Sequence, residues 1–181
     1  MYGDANWAGC IRTRKSTLGG FAVWGELPVK TWSKIMPTLA LSSGESELAA
    51  MVKACGEGLG IQSILSDFNV DTSLTIRSDA TAAIGMCKRE GLGRVRHLAT
   101  ADLWIQQLVR RKGVVLEKWP TDTNPADLLT KGVSRDKIRT LLQAMHMQAQ
   151  GGRAEAAPVR DSTIARFGPI ALDPDEIDSD S

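Results

Sequence analysis

The stretch LALSSGESELAAM, residues 39–51, is where the chain changes its period. Short apolar runs precede it. From Ser42 onward Leu48, Val52, Cys55 and Leu59 recur at steps of four, three and four, which is one face of a helix. The same stretch writes the helix start. Ser42-x-x-Glu45 has the spacing of a capping box, with the serine hydroxyl taking a backbone N–H and the glutamate reaching back to the cap. Glu45 therefore has a local task, whereas Glu47, beside Leu48, falls on the turn that faces the rest of the fold. Gly56, Gly58 and Gly60 each weaken this helix by about 1 kcal/mol relative to alanine. Packing must hold it, and a break is expected near Gly60 before it resumes through Ile64, Leu65 and Phe68.

Upstream, an extended segment at residues 3–7 is followed by the basic loop RTRKSTLGG and two compact runs, FAVWG and VKTWS, separated by ELP. Brevity, aromatics and bounding Gly and Pro make these paired strands, and with the first segment a three-stranded antiparallel meander. Downstream, SLTIRSD reads as a strand and ATAAIGMC as a short helix; the loop KREGLGRVRH leads to a helix at about residues 98–112. VVLEKW is a fifth strand, and Asn124-Pro125 opens a last helix, with an Asn cap and proline at the first helical position. The order βββαβαβα, with helices crossing between the later strands, predicts a mixed α/β sheet.

Charge is unevenly spread. Residues 149–181 hold three arginines against seven carboxylates, a net of −4, which leaves the first 148 residues at +5. The segment from Gln150 is punctuated by Gly, Pro and Asp without sustained apolar period, so residues 1–148 are expected to fold and 149–181 to form an acidic, disordered tail. The basic body is compatible with a nucleic-acid partner. Three cysteines, Cys10, Cys55 and Cys87, lie far apart without a CxxC, and there are two histidines, so buried thiols in a reducing compartment are expected rather than a zinc site. No run approaches the roughly 20 apolar residues that span a bilayer. With no secretory pattern at the start, the expected location is intracellular, cytoplasmic or nuclear.

Four acids stand at the ends of different elements: Asp4 in the first strand, Glu47 in the first turns of the first helix, Asp79 at the end of the fourth strand, and Asp127 in the first turn of the last helix. Clustered carboxylates repel unless a cation joins them. Two Mg²⁺ ions about 3.5–4 Å apart would resolve that repulsion and serve phosphodiester cleavage. Each acid also has a local reading: Asp79 as a helix cap, Asp127 as a partner of the helix dipole, Asp4 as a solvated side chain.

The segments YGDANWAGC, RTRKSTLGGFAVWG, VKTWSKIMPTLALSSGESELAAM, IRSDATAAIGM, RVRHLATAD and LEKWPTDTNPADLLTK occur in an order that resembles the ribonuclease H domain of copia-type retrotransposon polyproteins, over about residues 1–131. DANWAG, ALSS-x-E-x-E and N-x-AD-x-LTK together carry the likeness. It implies a ribonuclease H-like fold of about five strands, and a metal-dependent endonuclease (two Mg²⁺, with Mn²⁺ as an alternative) cutting the RNA strand of RNA–DNA hybrids by in-line attack of water. Asp4, Glu47, Asp79 and Asp127 fall on the family's acidic positions. Hybrid recognition by shape, phosphate and 2′-OH contacts makes Arg12, Arg14, Lys15, Ser43, Arg94 and Arg96 candidate binding residues. A reverse-transcriptase domain of the same polyprotein is an implied partner; a membrane is not.

Departures from the family pattern qualify this. Asp4 is only three residues from the start of the sequence, which predicts a truncated first strand, a poorly anchored Asp4 and a fragment of a polyprotein or of a decayed or host-adopted element. DATA at residues 79–82 stands where the family has Asp-Asn-Gln-Ser; Met36, Gly44 and Ala99 replace its Gln, Thr and acid. His97 reads as structural, Asp102 as a helix residue outside the site, and PTDTNPAD has no histidine to aid product release. The alternative function is an inactive remnant acting as a nucleic-acid-binding or interaction module. A transposase or integrase of the same fold fits less well, since its glutamate comes last.

Overall fold

The computed structural model describes residues 1–91 and 103–147. The chain divides into two units, Met1–Ala149 and Gln150–Ser181, and every described residue lies in the first. Arg94, Arg96, His97, Ala99, Asp102 and the acidic tail lie outside the described residues.

Strands β1 (Tyr2–Asn6), β2 (Thr17–Trp24) and β3 (Leu27–Ile35) form the expected antiparallel meander. Helix α1 (Ser43–Asp67) then crosses to β4 (Thr75–Ser78), which lies parallel to β1; β5 (Val115–Lys118) is parallel to β4. The five-stranded sheet has the order β3-β2-β1-β4-β5, which puts β1 at its centre. Pro28, which cannot donate to a ladder, sits on the edge strand β3, where that loss is tolerated.

Among the described residues between β4 and β5 are two helices, α2 (Thr81–Lys88) and α3 (Trp104–Arg110). Two elements correct the sequence reading. The segment opened by Asn124-Pro125 is a 3₁₀ helix, Pro125–Leu129, preceded by another at Thr121–Thr123. A further helix, α4 (Arg135–Ala144), follows it, capped by Ser134 and anchored by buried Leu141.

Helix α1 does not break at Gly60. Its buried stripe is Leu48, Met51, Cys55 and Gly58, at steps of three, four and three, with Val52 and Leu59 half-buried beside it. Gly58 has a packing reason: a Cβ there would stand 2.5 Å from Leu74 Cδ1, so the missing side chain lets the residue before β4 close against the helix. Contact with the sheet thus offsets the propensity cost of the glycines.

The main core lies between sheet and helices, with Leu48, Met51, Ile76, Ile105 and Leu116 among its members. A second cluster joins Tyr2 and Phe21 to Ala126 and Met145. Tyr2 stacks on Phe21 at 5.9 Å between centroids and meets the Trp119 edge at 5.2 Å. Cys55 and Cys87 are buried as expected; Cys10, in the loop after β1, is only half-buried, which corrects the reading of all three as buried thiols.

Candidate active site

Asp4 is the middle residue of the central strand. Its cross-strand partner on β2 is Gly19, and the side chain is fully buried. The ladder to β2 runs through all five residues of β1; on the other side Arg77 N donates to Met1 O and the Met1 ammonium to Thr75 O at 2.9 Å. The expectation of a poorly anchored Asp4 is therefore overturned: a central strand is fixed by neighbours on both sides, whatever its length.

Glu47 is set by the start of α1. Ser42 Oγ accepts from Glu45 N at 3.2 Å, and Glu45 Oε2 accepts from Leu41 N at 2.6 Å, one residue before the cap. This reciprocal pair fixes the first turn and carries Glu47 inward next to buried Leu48. Asp79 directly follows β4. It does not cap α2, whose N-cap is Ala80 without a side-chain hydrogen bond. Parallel β1 and β4 thus deliver two carboxylates and α1 a third: ligand oxygens of Asp4, Glu47 and Asp79 all lie within 4.8 Å of one another, the one such group among the described residues.

The electrostatics follow from that crowding. Burial first, then the Asp4 and Asp79 charges, push the Glu47 carboxyl up to about 8. Burial also raises Asp4, against the opposing pull of Thr130 and Lys131. Glu47 Oε2 is buried without a hydrogen-bond partner. An orphaned acceptor among repelling carboxylates is what a cation would satisfy, and an all-oxygen donor set suits a hard divalent ion. The residues fit such an ion.

Asp127 stands apart from that trio. It is nearly buried in the 3₁₀ helix, where Asn124 Oδ1 caps the first turn by accepting from Ala126 N at 3.2 Å. Lys131 joins it to Asp4: the ammonium lies 2.9 Å from Asp127 Oδ1 and 3.2 Å from Asp4 Oδ1. Thr130 Oγ1 donates to the other oxygen, Asp4 Oδ2. Burial works against the Lys131 charge, yet the Asp127 and Asp4 carboxylates hold its pKa above the ordinary lysine range. Asn124 is fully buried, with Nδ2 on Gly3 O at 3.4 Å, tying this segment to β1. Gly19 makes the approach feasible, since a Cβ there would fall 2.5 Å from Thr130 Cγ2 and 2.9 Å from Leu129 Cβ.

Thr130, Lys131, Asn124 and Gly19 are the residues that sequence reasoning missed as members of the site. Three of them were in view within N-x-AD-x-LTK, and Asp127 to Lys131 has the spacing of an i,i+4 ion pair. Their reach to Asp4 and Gly3, more than 120 residues away in the chain, leaves no local mark.

Of the candidate binding residues, Arg12 and Arg14 are exposed and Lys15 is half-buried in the loop after β1; Ser43, exposed, is the first residue of α1. Because β1 and β4 run parallel, this loop and Asp79 leave the sheet at the same edge. Trp7 Nε1 donates to Ala40 O at 3.0 Å, fastening the loop to the segment that leads into α1.

Sheet order and the parallel β1–β4 pair are those of a ribonuclease H-like α/β fold. Its solved counterparts include a ribonuclease H1 isolated from compost by a metagenomic approach, 16% identical with a TM-score of 0.50, over 71% of this chain and 89% of that one. In sequence, the chain is similar to the retrovirus-related Pol polyprotein from transposon TNT 1-94 of Nicotiana tabacum, at 28% identity over 150 residues. That stretch is 82% of this chain and 11% of the relative. It is likewise 28% identical over 137 residues to the Pol polyprotein from transposon RE2 of Arabidopsis thaliana, 74% of this chain and 9% of that protein. The chain spans about a tenth of the length of these relatives, which bear out the resemblance to copia-type Pol polyproteins. No protein-family model matches it. Among the described residues, no helix is long and apolar enough to cross a membrane.

Proposed function

We propose that this domain is a metal-dependent ribonuclease H that hydrolyses the RNA strand of RNA–DNA hybrids. The observation that carries the reading is the convergence of Asp4, Glu47 and Asp79 within 4.8 Å, with Glu47 Oε2 buried and unsatisfied. These three residues would hold a divalent ion, Mg²⁺ or Mn²⁺, and Asp127, with Asp4, is the candidate pair for a second. Bound there, the metal supplies an activated water and charge stabilisation at the leaving oxygen. The chain supplies the rest. The fully buried Asp4 is held by Thr130 and Lys131, and the capped first turn of α1 fixes Glu47. Arg12, Arg14 and Lys15 offer charges for phosphates, and Ser43 a hydroxyl at the helix start, a set that fits recognition by backbone shape.

The test is incubation with a hybrid labelled on both strands, beside duplex DNA and duplex RNA. The expected result is Mg²⁺-dependent cutting of RNA in the hybrid alone. Binding to the hybrid with no cleavage in Mg²⁺ or Mn²⁺ identifies the inactive binding module instead, a reading favoured by the occupation of both Asp4 oxygens by the chain's own donors.

A further inference from the structure

The acidic site is satisfied unequally at its two ends. At the Asp127 end the chain brings its own cation: Lys131 Nζ lies 2.9 Å from Asp127 Oδ1 and 3.2 Å from Asp4 Oδ1. Backbone geometry places it there, since Lys131 N donates to Asp127 O at 3.0 Å and the ammonium follows the same turn. At the Glu47 end, among the described residues, no cation lies within ion-pair distance; the Lys131 charge and the Ala5 backbone favour the carboxylate, yet Oε2 has no hydrogen-bond partner. A Mg²⁺ ion held by two carboxylates needs oxygens at about 2.0–2.1 Å, so it and a bridging ammonium cannot share the Asp4–Asp127 gap.

We propose that Lys131 is a built-in counter-cation of the Asp4–Asp127 pair, so that without nucleic acid the domain takes one divalent ion, at Asp4, Glu47 and Asp79. A second ion enters only when the ammonium swings away. The Lys131 side chain, 36% exposed, has solvent to move into, whereas the Asp4 side chain, 1% exposed, does not. Lys131 is thus a positioning residue: it neutralises and orients two of the acids and sets how many metals bind. The inference rests on the metal-site reading above and specifies its stoichiometry.

The test is to count bound Mn²⁺ on the full chain, without nucleic acid, by the loss of the free-ion electron paramagnetic resonance signal. Wild type is expected to bind one ion and Lys131→Gln two, with Lys131→Arg keeping one. Two ions on wild type, or a folded Lys131→Gln that still binds one, overturns the role of Lys131 and leaves the metal site standing. No Mn²⁺ on any form overturns both. Should Lys131→Gln fail to fold, Lys131→Met decides: two bound ions support the assignment, and one contradicts it.

Discussion

At the scale of single residues, the two glutamates of SGESEL divide their labour. Glu45 closes the capping pair, and Glu47 is turned into the acidic cluster. Glu47→Gln is expected to abolish hybrid cleavage while leaving the fold intact, and Glu45→Gln to keep cleavage at only a modest stability cost, since glutamine also closes a capping box, read from denaturant melts. The raised Glu47 pKa also has a sign. Between the ordinary value of 4.5 and about 8 the folded chain keeps a proton that the unfolded chain has released. Stability of the metal-free protein therefore falls as pH rises through that window and levels above it. Melting curves in a chelator should show this decline in wild type, with a shallower one in Glu47→Gln and in wild type given Mg²⁺. The acids were legible in the sequence because each stands within a distinctive motif, although Asp4 lies in the middle of its strand and not at an end. The donors on Asp4 were not, because Thr130 and Lys131 meet it only through the folded sheet.

At the scale of elements, α1 shows how packing overrides propensity. A methyl group added at Gly60 would meet nothing within 4 Å, whereas one at Gly58 would face Leu74 at 2.5 Å. Gly60→Ala is expected to raise stability by up to about 1 kcal/mol, and Gly58→Ala to lower it by about 1–3 kcal/mol, as measured by urea unfolding. The five strands could be read from apolar runs bounded by Gly and Pro, and the meander and the parallel pairing came out as expected. The continuity of α1 could not, because the reason for Gly58 is a side chain sixteen residues away in sequence. The segment after Pro125 has the cap and the proline of an α-helix, but it ends after five residues as a 3₁₀ turn, which brings Thr130 under Gly19. Helix α4 did leave a signal in the sequence: Ser134 ahead of a segment whose Leu141 and Met145 are buried. Asp4 looked precarious near the start of the chain, yet strand pairing on both flanks fixes it.

At the scale of the whole molecule, the first 148 residues carry a net charge of +5, and the loop with Arg12, Arg14 and Lys15 leaves the sheet at the edge where the acids gather. Replacing these three by alanine is expected to weaken hybrid binding for every sequence alike, and to flatten the dependence of log affinity on log salt by about 1 per removed phosphate contact, as titrations over a salt series will read. The fold is ribonuclease H-like and the sequence is similar to Pol polyproteins; the proposed chemistry rests on the three converging carboxylates. The measurement that tests it most directly is cleavage of a doubly labelled RNA–DNA hybrid in Mg²⁺ by wild type and by Asp79→Asn, each verified as folded. The account predicts RNA cut by wild type and left whole by Asp79→Asn or in excess chelator. Equal cutting by both proteins would contradict it.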